Sequence, residues 1–309
     1  MPTVSHFANR SFSQQIATRD PLMPSTTLPE HGFCHMPRQT IIQICGTDRA
    51  TFLHNFCTND IKRLANYDYC ELFITTVQGR CIGYGTVTAL EDSLVIATAP
   101  NQSATIIEHL SKYVITEDVS FVDLSERNAF LLTSTDDTPF EIGNQDSGNI
   151  ILDCHWFGAN TVWVFSNEEQ PAEIQGRESF STDQANALRI ENRIPVYGLD
   201  VSIDNFPHEI QRTAQSINFN KGCYLGQEPI ARIDSMGHVN WMLVLIQFST
   251  ELLIKPNTNL TANEKIVAKV GSVQTVNNES ERYALALVRR ELANASTEIQ
   301  TDQGNIKVM

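Results

Sequence analysis

The amino-acid sequence predicts an α+β fold with a small β-barrel-like domain at its C-terminal end. Strand-like segments follow one another as hairpins, such as residues 69–77 and 80–90 around the turn Gln78-Gly79, and helical segments are mixed among them. Hairpins of this kind favour antiparallel sheets over the regular strand–helix–strand units of a doubly wound fold. After Trp241 the helical pattern stops, and strand-like segments with polar connections predict the barrel.

The elements of the first 200 residues follow from apolar period and from capping or turn residues. Residues 40–45 form a strand, and Thr47 is placed to cap the helix that follows it. Asn101 is likewise placed to cap a second helix. A third helix covers residues 182–192 and is stopped by Pro195. Additional strands are predicted at residues 93–98, 119–122, 130–133, 150–154 and 161–165.

The predicted domain organisation has three parts. Residues 1–34 are expected to form a flexible segment, because they contain four prolines and lack an apolar period. Residues 35–239 form the α+β domain, in two subdomains, and residues 240–309 form the barrel. A length of 309 residues agrees with about two folded domains. Strands of the barrel are predicted at residues 241–248, 266–276, 283–290 and 305–308.

The net charge and the hydropathy of the chain argue against nucleic acid and membranes as its partners. The chain has a formal net charge of −14, whereas a protein that wraps nucleic acid needs a positive surface. We therefore expect no direct nucleic-acid partner, although Arg212, Lys221 and Arg232 lie close in sequence and leave a small basic patch open. No apolar run approaches the roughly 18 residues that span a bilayer, so we expect no membrane partner.

The cysteine pattern indicates a reducing compartment. The chain has seven cysteines at wide spacings, without a C-x-x-C pair, and no secretory signal precedes them. This pattern favours the cytoplasm, or an organellar matrix in a eukaryote, and predicts no metal site. Most of the thiols are expected to be buried as small apolar groups, and Cys223 is the exception because of its neighbours.

The segment Asn-Lys-Gly-Cys-Tyr-Leu-Gly-Gln-Glu, residues 220–228, is the most unusual part of the sequence. Its two glycines permit a tight turn or a close approach to a ligand. Lys221, two residues before Cys223, is expected to favour the thiolate. A short helix is predicted over residues 228–233, with Pro229 in its first turn. Cys223 is either a functional thiol in redox or one-carbon chemistry or a structural thiol in a tight loop, and the sequence leaves both interpretations open.

This segment, followed by Ala231-Arg232, resembles the signature of the YgfZ-type folate-binding proteins. These are relatives of the glycine-cleavage T-protein, and their mitochondrial members help to mature iron–sulfur proteins. The resemblance covers roughly residues 35–292 and implies folate-binding α/β subdomains around a central opening, with a C-terminal β-barrel. Further segments that resemble the family are Gly46 to Asp60, Gly79-Arg80, Leu188 to Gly198, Phe206 to Glu209 and Ala284 to Arg290.

The resemblance implies tetrahydrofolate or a derivative as the cofactor and iron–sulfur client proteins as partners. Glu191 matches the glutamate that faces the pterin in the family, and Tyr197 is a candidate for an apolar wall. Cys223 is the candidate catalytic residue. The other candidate cofactor-binding residues are Asn59, Asp60, Lys221, Gln227, Glu228 and Arg232. Several have simpler explanations: Asn59-Asp60 suits a turn, and Glu228 and Arg232 suit an exposed i,i+4 pair.

One departure from the T-protein pattern bears on activity. T-protein enzymes carry two consecutive aspartates a few residues after the turn formed here by Gly79, and one of them is the acid that handles aminomethyl transfer. This chain has Gly83-Tyr84 at that place, and a phenol does not replace a carboxylate beside a cationic amine. The sequence therefore predicts a tetrahydrofolate-binding protein that supports iron–sulfur enzymes, including those that modify tRNA. A tetrahydrofolate-dependent aminomethyltransferase and a non-catalytic scaffold are the alternatives.

Overall fold

The computed structural model describes residues 26–134, 140–157, 161–237, 239–275 and 280–309. Within these ranges three sheets and several short helices form an α+β fold, as the sequence predicts. None of the helices in the described ranges has the length and apolar character needed to cross a membrane.

The strands, in chain order, are β1 (Gly32–Met36), β2 (Thr40–Cys45), β3 (Tyr69–Thr75), β4 (Cys81–Ala89), β5 (Ser93–Thr98), β6 (Ser120–Asp123), β7 (Asn128–Thr133), β8 (Gly143–Asn144), β9 (Ile150–Asp153), β10 (Thr161–Ser166), β11 (Glu178–Ser179), β12 (Trp241–Ser249), β13 (Asn259–Ala262), β14 (Lys265–Val273), β15 (Glu281–Arg289), β16 (Glu298–Thr301) and β17 (Gly304–Val308). The α-helices are α1 (Arg49–Phe56), α2 (Ser103–Ser111), α3 (Thr182–Glu191), α4 (Thr213–Ser216) and α5 (Gln227–Met236).

The first sheet has the strand order β3-β4-β5-β2-β6, with antiparallel pairing between neighbours. Every residue of β4 and β5 is buried, which shows that both faces of the sheet are covered at its centre. Helices α1 and α2 cover one face, where Phe52, Leu53 and Ile106 join the apolar residues of the strands. The opposite face contributes Ile41, Val95 and neighbouring residues to a core shared with the second sheet.

The second sheet has the strand order β11-β1-β7-β10-β9-β8. The short strand β11 pairs in parallel with β1, and the other neighbours pair antiparallel. Helix α3 packs on this sheet through Ala185 and Leu188, which belong to the core shared with the first sheet. The two sheets and their helices therefore bury one continuous apolar interior, and α3 lies at its edge.

The third sheet, with the order β13-β14-β15-β12-β17-β16, forms the barrel-like unit at the C-terminal end. Its own core contains Ile246, Phe248, Ala286 and Val288 from the two central strands. A separate apolar cluster joins it to the rest of the chain, because Leu245 and Leu285 pack with Tyr84 of β4. The same cluster includes Ile190, the residue before the end of α3.

The predicted elements are largely confirmed, and two helix starts are corrected. Strand β2 has the predicted bounds, and the hairpin of β3 and β4 turns at residues 76–80. Asp48 takes the N-cap of α1 because the amide and hydroxyl of Thr47 bond to the Asp118 carboxylate, at 2.8 and 2.9 Å. Asn101 has a left-handed φ of +63°, so α2 begins after Gln102. Helix α5 is longer than predicted, and part of the predicted strand 266–276 lies outside the described residues.

The N-terminal prediction needs a correction at its boundary. Strand β1 begins at Gly32, inside the segment 1–34 that the sequence predicts to be flexible. The Thr133 hydroxyl accepts a hydrogen bond from the Gly32 amide at 2.9 Å and donates one to the Pro29 carbonyl at 2.6 Å. Residues 29–32 are therefore attached to β7 through one side chain, and residues 1–25 lie outside the described part of the chain.

Candidate functional site

Lys221 holds the signature segment against the end of helix α1. Its ammonium group donates hydrogen bonds to the backbone oxygens of His54, of Cys57 at 2.7 Å and of Asn59 at 2.7 Å. These oxygens belong to the last turn of α1 and the residues after it, where backbone acceptors lack helical partners. A cation at this end is also favoured by the helix dipole. Lys221 therefore satisfies backbone oxygens at the C-terminal end of α1 and fixes the signature segment to that end.

This arrangement bears on the roles predicted for Lys221, which stay predictions. The residue is buried, and burial lowers the pKa of its ammonium group from the ordinary value. All three ammonium protons are used on backbone oxygens. The group is thus engaged in the interior instead of serving a ligand's anionic tail or the Cys223 thiol, and we interpret Lys221 as a structural residue.

The second glycine of the signature allows two backbones to meet closely. Gly226 has a φ of +84°, and a β-carbon there would lie 2.5 Å from the Thr76 carbonyl oxygen and 3.2 Å from the Cα of Gly79. Across the same contact, the Thr75 hydroxyl donates to the Leu225 carbonyl at 2.9 Å. Helix α5 therefore begins directly against the turn between β3 and β4, which explains a glycine at both positions.

Three other signature residues, Cys223, Gln227 and Glu228, lie nearer the surface. Cys223 is exposed, whereas the other six cysteines are buried or half-buried. Glu228 accepts a hydrogen bond from Arg232 at 3.1 Å, and both side chains are exposed, which matches the simpler explanation of an i,i+4 pair. The Gln227 side-chain oxygen accepts from the amide of Tyr224 at 3.4 Å and thereby shapes the loop.

Asn59 and Asp60 form an interior turn beside the end of α1. The Asn59 amide nitrogen donates to the backbone oxygens of Glu71 and Gln215, both at 2.8 Å, and its oxygen accepts from the Asp60 amide at 2.9 Å. Asp60 Oδ1 lies 3.2 Å from Nδ1 of His54. Burial, followed by the charge of Lys221, lowers the pKa of that imidazole. These contacts favour the turn interpretation for both residues.

Glu191 ends helix α3 in a buried position. A capping box fixes the start of the helix: the Ser181 hydroxyl accepts from the Gln184 amide at 3.1 Å, and the Gln184 side chain accepts from the Ser181 amide at 3.0 Å. At the other end, Glu191 accepts from the Thr26 hydroxyl at 2.6 Å and from the Thr26 amide at 3.3 Å. Gln274, just after β14, donates to it at 3.4 Å. Glu191 therefore lies where the N-terminal segment, α3 and the barrel meet.

A second buried contact ties α3 to the barrel. Arg189 donates to the Ser272 hydroxyl at 2.8 Å, and Asp200 accepts from the Ser272 amide and hydroxyl, both at 2.6 Å. The neighbouring Gly271 permits this approach, because a β-carbon there would lie 2.2 Å from the Asp200 carboxylate. The end of α3 is thus held to the barrel by two contacts: Arg189 donates a hydrogen bond to Ser272, and Glu191 accepts one from Gln274.

Tyr197 lies between the α3 region and the first sheet. Its hydroxyl donates to the Cys81 carbonyl at 3.0 Å, and its ring packs with the apolar cluster at the junction with the barrel. Burial raises the pKa of the phenol to about 12. The hydroxyl is engaged by β4, and the role of the ring as a ligand wall stays a prediction.

Tyr84, which the sequence analysis expects at the place of the T-protein acid, belongs to a buried polar cluster. Its hydroxyl donates to Oε2 of Glu71 at 2.8 Å, and Arg212 donates to the same oxygen at 3.0 Å and also bonds the other one. The Tyr84 ring stacks on Trp156, with 5.7 Å between centroids. Burial, and then the Glu71 charge, raise the pKa of Tyr84 well above its ordinary value. The phenol therefore stays protonated, and the Glu71 charge is balanced by Arg212.

The three cations that are close in sequence face different partners in the fold. Arg212 is paired with Glu71 in the interior, Lys221 bonds backbone oxygens, and Arg232 pairs with Glu228 at the surface. They do not combine into one basic patch.

Three residues next to the candidate site have no counterpart in the sequence prediction. Thr26 lies in the segment predicted to be flexible, and Gln274 lies in the predicted barrel. Trp156 has a buried indole Nε1 that meets no acceptor in the described part of the chain. Its carbonyl accepts from Asn192, the residue after Glu191, at 3.2 Å. Its position two residues after the predicted strand at residues 150–154 is the sequence signal that points to Trp156.

Comparison with known proteins gives relatives of low but extensive similarity. The chain is 24% identical over 237 residues to the tRNA-modifying protein YgfZ of Aliivibrio fischeri, a match that covers 71% of the chain and 70% of that protein. It is 22% identical over 290 residues to the mitochondrial iron–sulfur cluster assembly factor IBA57 homolog of Aspergillus oryzae, covering 78% of the chain and 61% of that protein. A chloroplastic protein of Arabidopsis thaliana is 24% identical over 288 residues. The chain spans 64% of the plant protein's length, so it covers less than two thirds of the plant and fungal relatives.

No protein-family model matches the chain. Among solved structures, aminomethyltransferase T of the glycine cleavage system from Bartonella henselae superposes with a TM-score of 0.78 at 15% identity, covering 92% of this chain and 86% of that one. This likeness establishes the fold, and the names of the relatives agree with the family that the segment at residues 220–228 resembles. The chain is therefore similar in sequence to YgfZ-type proteins, and it has the fold of the glycine-cleavage aminomethyltransferase T.

Proposed function

We propose that the protein binds tetrahydrofolate, or a derivative of it, through Glu191 and thereby supports iron–sulfur enzymes. The observation that carries the proposal is the buried carboxylate at the end of α3, which already accepts hydrogen bonds from a hydroxyl, a backbone amide and a side-chain amide. The pterin of tetrahydrofolate presents adjacent N–H donors on one edge, and a desolvated carboxylate is the acceptor that suits them.

The surrounding residues fit a flat heteroaromatic ligand. Trp156 contributes a buried indole N–H without an acceptor among the described residues, and its backbone is hydrogen-bonded to the residue after Glu191. An acceptor carboxylate and a donor indole on adjoining elements suit a ligand edge that has both kinds of group. Tetrahydrofolate, when bound, supplies a carrier for one-carbon units. The protein's part is to orient the ligand and to exclude water from the carboxylate.

The names of two relatives support the wider role. One is named as an iron–sulfur cluster assembly factor and the other as a tRNA-modifying protein. With a net charge of −14, we propose that this chain reaches tRNA through iron–sulfur client enzymes and does not bind it directly. Its place is a reducing compartment, the cytoplasm or an organellar matrix.

The cluster around Tyr84 argues against T-protein chemistry. Transfer of an aminomethyl group passes through a cationic amine, which needs a free carboxylate nearby. The carboxylate that contacts Tyr84 is Glu71, and its charge is already compensated by Arg212. The aminomethyltransferase alternative predicts that the protein, given an aminomethyl-lipoyl carrier and tetrahydrofolate, forms methylene-tetrahydrofolate at about 1 per second or faster. Our proposal predicts no such turnover.

A calorimetric titration with tetrahydrofolate tests the binding proposal. The unmodified protein is expected to bind, and Glu191→Ala should weaken binding by about tenfold or more, since a hydrogen bond to a charged group contributes about 1.5–3 kcal/mol. Glu191→Gln keeps the volume and serves as a second variant. Glu108→Ala, which removes an exposed carboxylate of α2 that is not a candidate binding residue, is the matched control and should bind as the parent does. Absence of binding by the parent would favour the scaffold alternative, and equal binding by Glu191→Ala would refute this assignment of the site.

A further inference from the structure

The carboxylate of Glu191 is occupied by the protein's own N-terminal segment. Thr26 presents two adjacent donors to it, a hydroxyl at 2.6 Å from Oε1 and a backbone amide at 3.3 Å from both oxygens. Glu191 and Thr26 are 165 residues apart in the chain, so helical geometry does not impose this contact. The bond from Gln274 of the barrel is longer, at 3.4 Å to Oε1, so Thr26 supplies the closest of these donors.

Two adjacent donors toward one carboxylate are also what the amino-pyrimidine edge of a pterin offers. From this match we infer that residues 26–31, here called the N-terminal strap, compete with the folate ligand for Glu191 and lift from it when the ligand binds. The inference rests on the proposed function and concerns the regulation of the same site. Thr26 is the competing residue, and the strap sets the apparent affinity of the site.

The strap is attached at one end and releasable at the other. At its C-terminal end, the Pro29 carbonyl accepts from the Thr133 hydroxyl at 2.6 Å, and strand β1 follows directly from Gly32. Leu28 packs against the core shared by the first two sheets, but it is only partly buried. Thr26 is half-buried and Thr27 is exposed, so within the described ranges little apolar surface of the strap holds residues 26 and 27 in place. Residues 26–28 can therefore leave Glu191 while β1 stays paired with β7.

With competition of this kind, the measured affinity equals the intrinsic affinity multiplied by the fraction of molecules in which Glu191 is accessible. Removing the hydroxyl of Thr26 deletes the shorter of its contacts with a charged acceptor and raises that fraction. We expect about a tenfold gain in tetrahydrofolate affinity, equivalent to about 1.4 kcal/mol. Removing the amide as well should produce a larger gain.

The experiment measures tetrahydrofolate affinity for the full chain and three variants. Thr26→Val removes the hydroxyl at nearly constant shape, and Thr26→Pro removes both the hydroxyl and the amide donor. Thr27→Val is the matched control, because it changes the same residue type at the next, exposed position. Hydrogen–deuterium exchange of residues 26–31 is followed in the same samples, with and without tetrahydrofolate.

Affinity should rise in the order parent, Thr26→Val, Thr26→Pro, with Thr27→Val equal to the parent, and tetrahydrofolate should speed exchange in the strap. Equal affinity of all four proteins would show that the strap does not compete, while the proposed function would stand. Weaker binding by Thr26→Val would overturn the inference by making Thr26 part of the ligand site. Absence of binding in all four would reject the proposed function itself, together with the strap.

Discussion

Replacing Lys221 by Met tests whether the most prominent cation of the signature is structural. The change removes three hydrogen bonds to backbone oxygens. The Asn59 oxygen keeps the Cys57 thiol as a donor at 3.4 Å, whereas the oxygens of His54 and Cys57 lose their donor among the described residues. A buried acceptor without a donor costs about 1–3 kcal/mol, so two would cost about 2–6 kcal/mol if nothing relaxed. Burial of the ammonium group itself is unfavourable, as the lowered pKa of Lys221 indicates, and its removal offsets part of this loss. We expect a net loss of about 2–4 kcal/mol in the free energy of unfolding.

Urea unfolding, followed by far-ultraviolet circular dichroism at pH 7, measures this loss as a lower midpoint. Lys62→Met is the matched control, because it removes an exposed lysine that follows the same helix. It should change the free energy of unfolding by less than about 0.5 kcal/mol. The structural interpretation is refuted if Lys221→Met is as stable as Lys62→Met. If that stable variant also loses tetrahydrofolate binding, the ligand-binding role predicted from the sequence is correct.

Three further predictions concern pH, backbone conformation and thiol exposure. Burial lowers the pKa of His208, so the unfolded chain takes up a proton before the folded chain does as the pH falls below about 6.5. The free energy of unfolding then drops by up to about 1.4 kcal/mol for each further pH unit, until the pH passes the pKa of the folded state. Urea unfolding at pH 5 and 7.5 should show this loss in the parent and a smaller loss in His208→Phe, and equal losses would contradict the prediction. Gly226→Ala should lower the free energy of unfolding by at least about 2 kcal/mol, because Gly226 has a left-handed φ and an added β-carbon would clash with a carbonyl oxygen. Gly237→Ala is the control, because Gly237 has a φ of +65° but open space around it, and it should lower the free energy by about 1 kcal/mol. Equal losses in urea unfolding would contradict the close contact at Gly226. A small alkylating reagent at neutral pH should label the exposed Cys223 first, and tetrahydrofolate should protect it. Cys34 should be labelled among the last, because burial raises the pKa of its thiol to about 11. The reverse order on peptide mapping would defeat this prediction.

Local elements were predictable because their causes are local. The hairpin of β3 and β4 follows from two apolar segments and a turn at Gly79, all within about 20 residues. The start of α3 follows from Ser181 and Gln184, three residues apart. The helix starts that were misplaced by one residue, at Thr47 and Asn101, depend on a distant carboxylate and on an unusual backbone conformation.

The roles of site residues were less predictable because their partners are distant in sequence. Lys221 reads as a cation beside a thiol, but its acceptors lie 162 to 167 residues earlier in the chain. Thr26 carries no pattern that points to Glu191, and only the fold brings the two together. The pair Glu228–Arg232 was predictable, because its spacing is that of one helical turn.

The central claim, that Glu191 pairs with the amino-pyrimidine edge of tetrahydrofolate, is tested most directly by a thermodynamic cycle. Affinity is measured for tetrahydrofolate and for an analogue without the 2-amino group, each with the parent protein and with Glu191→Gln. If the carboxylate receives the amino group, the two changes are coupled by about 1–2 kcal/mol, and the analogue is penalised far more by the parent than by the variant. If the two losses add within about 0.3 kcal/mol, Glu191 does not contact that edge and the proposed site is wrong.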